Sequence, residues 1–316
     1  MKVLAVANNP GGANAIVPVI HRIQNRCIVV AEGFAKEIFK KEGIPFLNAE
    51  EIIVSKVFKE HEISVMLSGT SAGKTIDKQL LAEAKQQGII SVYVLDFWAN
   101  YWGRFSEDKD VQQLPDYICV MDERAKKDMI NEDIPVDKII VTGNPFFDHF
   151  IENIGTNAEE EGRLLFISQP FTGATYGYTE QEVLRDIIQC VEGKINLEVR
   201  LHPRDDKNKY RALDVQYDDI SILEESVSKA KVIIGMNSMV LFQSAVAGKR
   251  VISYQPSLTN DILPSNGVGL STLVTSKNEL CSAINDALYT DRQSRAGDYA
   301  IIKNATENVV AFIHSL

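Results

Sequence analysis

The 316-residue sequence has few cysteines and no apparent metal motif. Its four cysteines have no paired spacing, and three lie in or beside apolar runs: Cys27, Cys119, Cys190 and Cys281. We therefore expect buried thiols instead of disulfides or zinc ligands. No cluster of His, Asp and Glu has metal-ligand spacing, and the acidic pair in RDDKNK (204–209) is typical of a solvated turn. We expect no metal requirement.

Long apolar runs and excess positive charge are also absent. No stretch approaches the roughly 18 apolar residues of a membrane span, and the opening MKVLAVANNPGG is typical of a buried strand instead of a secretory signal. The formal charge of −10 argues against nucleic acid or an anionic membrane as the main partner. A peripheral membrane contact and the oligomeric state stay open. A cytoplasmic protein is the simplest expectation.

The sequence does contain an alternation of short β-branched runs with longer amphipathic stretches. In the first half the runs KVLAVA, RCIVVA, ISVMLS, ISVYVLD, YICVMD and KIIVTG are almost wholly apolar. Strands buried on both faces of a parallel sheet have this composition. Stretches such as AIVPVIHRIQ, FAKEIFKKEG and IDKQLLAEAKQQG lie between them. This pattern predicts an α/β doubly wound sheet.

Two such domains are predicted. Residues 151–163, IENIGTNAEEEGR, are polar, acidic and typical of a linker, after which strand-like runs resume with RLLFISQ, LEVRLHP, DISIL, AKVIIGM and KRVISYQ. We predict Rossmann-like domains over 1–150 and 164–298, and a C-terminal helix within 299–316 that packs back toward the first domain. Two Rossmann-like domains place an active site in the cleft between them, outside the carboxyl ends of the strands.

Polar residues follow the strands of the second half, at the edge where a ligand is expected. His202 and Pro203 end one strand, and Asn237 and Ser238 precede a helix that starts at Met239. A capped helix start offers free N–H groups to an anion, and a histidine adds a protonatable donor, so together they suit a diphosphate or phosphodiester. Taken alone, Asn-Ser is more often a plain N-cap and a lone histidine more often structural. Another strand end adds candidate contacts at Ser168, Gln169, Pro170 and Thr172.

These motifs resemble the nucleotide-sugar half of GT-B glycosyltransferases. LLFISQP, RLHPRDD and AKVIIGMNSMVLFQSAVAGKRVISY, within 164–256, follow the order and rough spacing of a group that includes bacterial lipooligosaccharide sialyltransferases, polysialyltransferases and capsule transferases. The resemblance implies a GT-B-like fold with two Rossmann-like domains facing a central cleft. It also implies that His202, Asn237 and Ser238 hold the phosphate of a nucleotide-sugar donor, with a CMP-linked sugar such as sialic acid favoured over UDP- or CDP-linked ones. The sequence departs from the pattern of that group at 237–239, where it has Asn-Ser-Met and Ser-Ser is more usual.

The first half resembles GT-B enzymes more loosely, including the non-hydrolysing UDP-N-acetylglucosamine 2-epimerases. KVLAVANNPGGANAIVPVIHRI and DYICVMDERAKKDMINEDIPVDKIIVTGNPFFD have the right shape and order. Gly11, Gly12 and Asn14 would bring a helix start close to a ligand, or form a tight turn without one. The acidic and histidine motifs of the epimerases are missing, since the third strand leads to Ser-Gly-Thr and FISQP replaces a His-containing turn. We therefore expect a transferase in preference to an epimerase.

The general base of an inverting transfer is expected in VYVLDFWANYWGRF, after the fourth strand. Asp96 would take the proton of the acceptor hydroxyl, and His202 would act at the leaving phosphate. Trp98 and Tyr101 suit stacking on a sugar, and Arg104 would offset charge. The alternative is that Asp96 caps the next segment, the rings form core or a subunit contact, and Arg104 is solvated.

The stretch SGTSAGKT (68–75) is one residue from a phosphate-binding P-loop, with Ser68 in place of the first glycine. It follows the third strand instead of opening the sheet, so nucleoside triphosphatase activity is not favoured. Its position predicts instead that Ser68, Thr70, Ser71 and Lys74 contact an acidic or phosphorylated acceptor.

We therefore expect a metal-independent glycosyltransferase of bacterial surface polysaccharide synthesis, which takes a nucleotide-sugar and a glycan acceptor and needs no cofactor. Two alternatives stay open. One is an epimerase or hydrolase of the same fold acting on a UDP-N-acetylhexosamine. The other is a non-catalytic binder of nucleotide-sugars.

Overall fold

The computed structural model describes residues 1–154, 161–170, 177–191, 193, 195–258, 261, 263–267, 269–290 and 302–316. The chain folds into two compact units, Met1–His149 together with Ile301–Leu316, and Phe150–Ala300. Each unit is built around one parallel sheet.

The sheet of the first unit has seven described strands in the order β3-β2-β1-β4-β5-β6-β7, all parallel. The central strands β1 and β4 are buried along their whole length, which explains their unbroken apolar sequences. The strands are β1 Val3–Ala7, β2 Cys27–Ala31, β3 Leu47–Asn48, β4 Val65–Gly69, β5 Ile90–Val94, β6 Tyr117–Val120 and β7 Ile139–Val141.

The helices of the first unit begin at recognisable signals. Helix α1 starts with Pro10, whose missing N–H costs nothing at this position. Helix α5 is capped by the side chain of Asp122, which accepts the Ala125 N–H at 2.7 Å. The helices are α1 Pro10–Ile23, α2 Ala35–Lys41, α3 Val54–Glu60, α4 Ile76–Gln86, α5 Glu123–Asn131 and α6 Pro145–Asn153.

The sheet of the second unit has six described strands in the order β10-β9-β8-β11-β12-β13, again all parallel. They are β8 Glu161–Ile167, β9 Asn196–Arg200, β10 Gln216–Tyr217, β11 Ala230–Gly235, β12 Arg250–Tyr254 and β13 Thr272–Val274. The helices are α7 Glu180–Val191, α8 Leu223–Lys229, α9 Met239–Val246, α10 Pro264–Gly267 and α11 Lys277–Tyr289. Both sheets therefore have a doubly wound order, with one switch point between β1 and β4 and another between β8 and β11.

The last helix, α12 Ala305–Ser315, belongs to the first unit. Val309 and Ile313 are buried in the same apolar cluster as the inner face of α1. The Thr306 N–H donates to Asp148 on α6 at 3.0 Å, which ties the start of α12 to the first unit.

Two expectations about local structure need correction. DISIL (219–223) is not a strand, because Asp218 pairs with Arg200 and accepts the Ile220 N–H, which turns the chain before α8. The linker predicted over 151–163 is too long, because α6 continues to Asn153 and β8 begins at Glu161. Residues 155–160 lie outside the described residues.

The expectation that all four cysteines are thiols is wrong for two of them. Cys190 on α7 and Cys281 on α11 form a disulfide, because these helices pack together on one face of the second sheet. Their separation of 91 residues gives no signal in the sequence. Cys27 and Cys119 are free thiols, and burial raises the pKa of each to about 12.

Candidate functional site

Several of the predicted site residues follow the strands on either side of the two switch points. The loops after β1 and β4 flank the first one and carry Gly11 and Thr70. The loops after β8 and β11 flank the second and carry Gln169 and Asn237. Ligands of doubly wound sheets bind at such points, outside the carboxyl ends of the strands.

Gly11 and Gly12, in the first turn of α1, pack directly against the strand ends. A Cβ on Gly11 would lie 2.0 Å from Asp96 Oδ2, and one on Gly12 would lie 2.6 Å from the Thr70 carbonyl oxygen. Gly69 closes the same contact, since its Cβ would lie 2.0 Å from the Gly12 carbonyl oxygen. Close packing of helix on strand therefore accounts for these glycines, and it brings Asp96 against the start of α1.

Asp96 is held in place by two polar side chains. The Thr70 hydroxyl donates to Asp96 Oδ1 at 2.7 Å. The Arg104 guanidinium makes an ion pair with the same oxygen and donates to Thr70 Oγ1 at 3.1 Å. With its side chain 14% exposed, Arg104 is not the solvated residue of the alternative interpretation. The bonds to Oδ1 leave Oδ2, on the Gly11 side, as the oxygen that can accept a proton.

The aromatic loop after β5 is part of the core, which corrects the expectation that its rings stack on a sugar. Trp98 is 5% exposed, stacks on Phe147 with ring centroids 5.8 Å apart, and donates its indole N–H to Asp122 at 2.7 Å. Tyr101 is 2% exposed. Buried rings with satisfied polar atoms stabilise the loop that carries Asp96 and Arg104, and they leave no open face for a ligand.

The SGTSAGKT loop does not form an open phosphate nest. Glu32 Oε2 accepts the Ile76 N–H at 2.9 Å, so a carboxylate of the chain itself occupies the start of α4. The Ser71 hydroxyl donates to Asp77 Oδ1 at 2.6 Å and lies 2.8 Å from Thr75 Oγ1. The hydroxyls of the loop thus bind a buried aspartate, and burial raises the pKa of that aspartate.

Among the acceptor contacts predicted in this loop, Thr70 alone reaches Asp96. Ser68 is fully buried and its hydroxyl donates to the Val6 carbonyl oxygen at 3.1 Å, so it belongs to the core, contrary to expectation. Lys74 is exposed.

At the switch point of the second sheet, Asn237 and Ser238 form the start of α9. Ser238 Oγ accepts the Val240 N–H at 3.3 Å, so the residue is an N-cap, and its own hydroxyl hydrogen is left to donate. The Gln169 side chain bonds Asn237 twice, donating to Asn237 Oδ1 at 2.8 Å and accepting its N–H at 3.0 Å. This pair joins the ends of β8 and β11 and fixes the first turn of α9. A helix start presented in this way suits an anion.

His202 follows β9 and acts as a neutral hydrogen-bond donor. Its Nδ1 accepts the Arg204 N–H at 3.1 Å, so the neutral ring carries its proton on Nε2. Burial, with a further contribution from the Arg204 charge, lowers the pKa of His202 below its ordinary value. At pH 7 the residue therefore offers an uncharged Nε2–H.

A buried network holds the loop that carries His202. Asp205 Oδ2 accepts the His202 N–H at 3.0 Å and the Ser168 hydroxyl at 2.6 Å. Lys209 Nζ lies 2.7 Å from Asp205 Oδ1 and 2.5 Å from Glu180 Oε1. Burial would raise the pKa of Asp205, but hydrogen bonds from Lys209 and Ser168 keep it below its ordinary value. Asp205 is therefore not part of a solvated turn, and Ser168, at 1% exposure, supports the loop instead of facing a ligand.

The remaining predicted contacts are less constrained. Thr172 lies outside the described residues. Pro170 and Pro203 are exposed, and Asn14 and Met239 are half-buried on their helices. Within the described ranges, no group of three or more His, Cys, Asp and Glu residues is arranged to hold a metal ion. No helix in that part of the chain has the length and apolar character needed to cross a membrane.

Sequence reasoning missed Glu32 and Lys209. Glu32 directly follows β2, so its position at a strand end was a usable signal. Lys209 gave a weaker one, its spacing of four residues from Asp205.

No family model matches the sequence, and no curated protein sequence matches it. Solved structures are similar over the whole chain. The UDP-N-acetylglucosamine 2-epimerase of Neisseria meningitidis, bound to UDP-N-acetylglucosamine, has a TM-score of 0.72 at 15% identity, with 100% of each chain covered. That of Methanocaldococcus jannaschii, in complex with UDP-N-acetylglucosamine and UDP, has a TM-score of 0.72 at 17% identity, again with 100% of each chain covered. MurG of Acinetobacter baumannii has a TM-score of 0.63 at 14% identity and the same coverage.

These similarities confirm the predicted fold class, a GT-B-like fold of two Rossmann-like parallel-sheet units. The likeness to UDP-N-acetylglucosamine 2-epimerases, expected for the first half alone, extends over the whole chain at the level of fold. The narrower resemblance to sialyltransferases stays a prediction, as do the interdomain cleft and the cytoplasmic location.

Proposed function

We propose that this protein is an enzyme that acts on a UDP-linked N-acetylhexosamine. The observation that carries the proposal is the start of α9 at the second switch point, which the Gln169–Asn237 pair holds in place. There the Ser238 hydroxyl and the Ser238 and Met239 N–H groups donate to no acceptor in the described structure, whereas the Val240 and Leu241 N–H groups are taken by Ser238. That set of donors suits a diphosphate. The fold supports it, since two full-length structural neighbours carry UDP-N-acetylglucosamine.

In this proposal the second unit binds the diphosphate and the first supplies the proton-transfer group. The His202 Nε2–H, the Ser238 hydroxyl and the Met239 N–H at the start of α9 stabilise the negative charge that grows on the diphosphate as the bond to the sugar C1 breaks. Asp96, held by Arg104 and Thr70, accepts a proton from the sugar or from an acceptor.

We place 2-epimerisation of the sugar first, because proteins solved as 2-epimerases match the fold over the whole chain. In this reaction the C2 hydrogen leaves as a proton while the C1–O bond breaks, which releases UDP and leaves a C1–C2 double bond. A proton then adds to the opposite face of C2 as UDP returns to C1, so the C1–O bond re-forms. The UDP-sugar is then the sole substrate, and no acceptor is needed.

Transfer to an acceptor hydroxyl is the second candidate, and one observation favours it. Three carboxylates follow strands of the first sheet: Glu32 after β2, Asp96 after β5 and Asp122 after β6. Glu32 accepts the Ile76 N–H and Asp122 accepts the Ala125 N–H, so both bind helix starts. Asp96 accepts none from the backbone in the described structure. A single base suffices for an inverting transfer, whereas epimerisation also needs a group that returns the proton.

A thermal-shift panel of UDP, UDP-N-acetylglucosamine, CMP, CDP and ATP tests the nucleotide. We expect stabilisation by the two uridine compounds, about 2.7 kcal/mol at roughly 100 times Kd. A preference for CMP or CDP would overturn the uridine assignment in favour of the donor expected from the His-Pro resemblance. A response to ATP alone, or to none of the compounds, would refute the proposal.

A further inference from the structure

The first unit contains a cavity that none of the candidate site residues lines. It has a volume of about 410 Å³ and lies between one face of α4 and the segment that follows Arg104. Helix and segment contribute Lys78, Leu81, Ala82, Lys85, Phe105, Asp110, Gln112 and Gln113.

Two lysines on α4 line this cavity. Lys78 and Lys85 are seven residues apart, so they lie on one face of the helix, about 10.5 Å apart along its axis. Each donates to one backbone carbonyl oxygen, Lys78 to Ser71 at 2.7 Å and Lys85 to Gln112. Neither makes an ion pair with a described carboxylate. Each ammonium group therefore keeps two N–H donors for a ligand.

The residues that line the cavity carry two positive charges and one negative charge, in a protein of net charge −10. Asp110 is the single carboxylate among the lining residues, and its oxygens accept the Gln112 N–H and the Gln113 amide. Lys78 is half-buried, whereas Lys85 is exposed. Burial lowers the pKa of both lysines. At Lys78 the Asp77 and Glu107 charges oppose this effect and the Arg104 charge adds to it. At Lys85 the Lys138 charge adds to it and the Asp116 and Asp110 charges oppose it. Cations drawn partly out of water gain when an anion enters beside them.

We propose that this cavity binds a small organic polyanion, such as a phosphorylated or polycarboxylate metabolite, between Lys78 and Lys85. Because the two residues lie about 10.5 Å apart along the helix, a ligand with at least two separated negative charges can engage both of them. Leu81 and Phe105 supply an apolar wall for its carbon skeleton. The inference is independent of the reaction proposed above, because it uses no residue of the nucleotide site.

Protection of the lysines from acetylation tests the proposal on the full chain. The protein is treated with an amine-acetylating reagent, with and without pyrophosphate or citrate, and the modified lysines are quantified by mass spectrometry. At roughly ten times Kd of either probe, acetylation of Lys78 and Lys85 slows about tenfold, because the free fraction of sites falls to about a tenth. Orthophosphate protects less at equal concentration. Lys127, exposed on α5, is the internal control and stays unprotected.

Matched variants separate this cavity from other anion sites. Lys85→Gln weakens pyrophosphate protection of Lys78 about tenfold, whereas Lys127→Gln, which removes the same charge elsewhere, does not. Ser238→Ala, at the nucleotide site, also leaves protection of Lys78 unchanged. The proposal is overturned if neither probe protects Lys78 and Lys85, if Lys127 is protected equally, or if the two glutamine variants behave alike.

Discussion

Replacing Gly11 with alanine moves the proposed proton-transfer group without removing it. The new methyl would lie 2.0 Å from Asp96 Oδ2 and 3.1 Å from Asp96 Cγ. Ordinary contact between carbon and oxygen is about 3 Å or more, so the carboxylate must shift by about 1 Å. The shift pulls Oδ1 away from Arg104 and Thr70, which hold it.

The expected effect falls on activity more than on stability. Displacing a catalytic group by about 1 Å lowers its rate on the order of 100-fold. Alanine is the better helix former by up to about 1 kcal/mol, which offsets part of the cost of weakening an ion pair whose side chains are 14% and 17% exposed. We therefore expect turnover of the UDP-sugar to fall about 100-fold, while the free energy of unfolding in urea stays within about 1 kcal/mol of wild type.

Gly69→Ala is the contrasting variant. Its methyl would meet backbone, 2.0 Å from the Gly12 carbonyl oxygen, and backbone cannot rotate away. We expect it to lower the free energy of unfolding by about 2 kcal/mol or more, as overpacking does. Gly11→Ala with normal stability and turnover within twofold of wild type would refute the assignment of Asp96.

Three further outcomes are expected. Ser238→Ala should weaken UDP binding about tenfold in isothermal titration calorimetry. Ser276 precedes α11 but its side chain makes no cap hydrogen bond, so Ser276→Ala should leave UDP binding unchanged. Equal effects of the two variants would contradict the role of Ser238. The pKa of His202 in the folded state lies below 6.5, so protonation of the unfolded chain lowers the free energy of unfolding as pH falls from 6.5 toward that lower pKa. In urea titrations over this range, the free energy of unfolding of His202→Gln should depend less on pH than that of the wild type. An unchanged pH dependence would contradict this. Reducing the Cys190–Cys281 disulfide should lower the free energy of unfolding by about 4 kcal/mol, because the bond closes a loop of 91 residues. An unchanged urea midpoint after reduction would show that the bond does not stabilise the fold.

The fold was predictable from local patterns. Apolar runs such as those of β1 and β4, separated by amphipathic stretches, specify a parallel sheet because such strands are buried on both faces. The doubly wound order then places the strand ends, so residues such as Thr70, Asp96, Asn237 and Ser238 could be selected by position alone.

What could not be predicted depends on contacts between distant residues. The Gln169–Asn237 pair spans 68 residues, and the burial of Trp98 depends on Phe147 and Asp122 in other elements. Residue type alone does not reveal whether an aromatic side chain faces a ligand or the core. The likeness of SGTSAGKT to a P-loop failed for the same reason, since Glu32, from another crossover, lies at the start of α4.

Incubation with UDP-N-acetylglucosamine alone, followed by ¹H NMR of the sugar protons, tests the central claim most directly. The account predicts that the wild-type protein converts it to its C2 epimer without an acceptor. It predicts that Asp96→Asn still binds UDP and slows conversion by about 100-fold or more. Unchanged UDP-N-acetylglucosamine at high protein concentration would contradict the epimerase assignment, and equal conversion by Asp96→Asn would contradict the proposed mechanism.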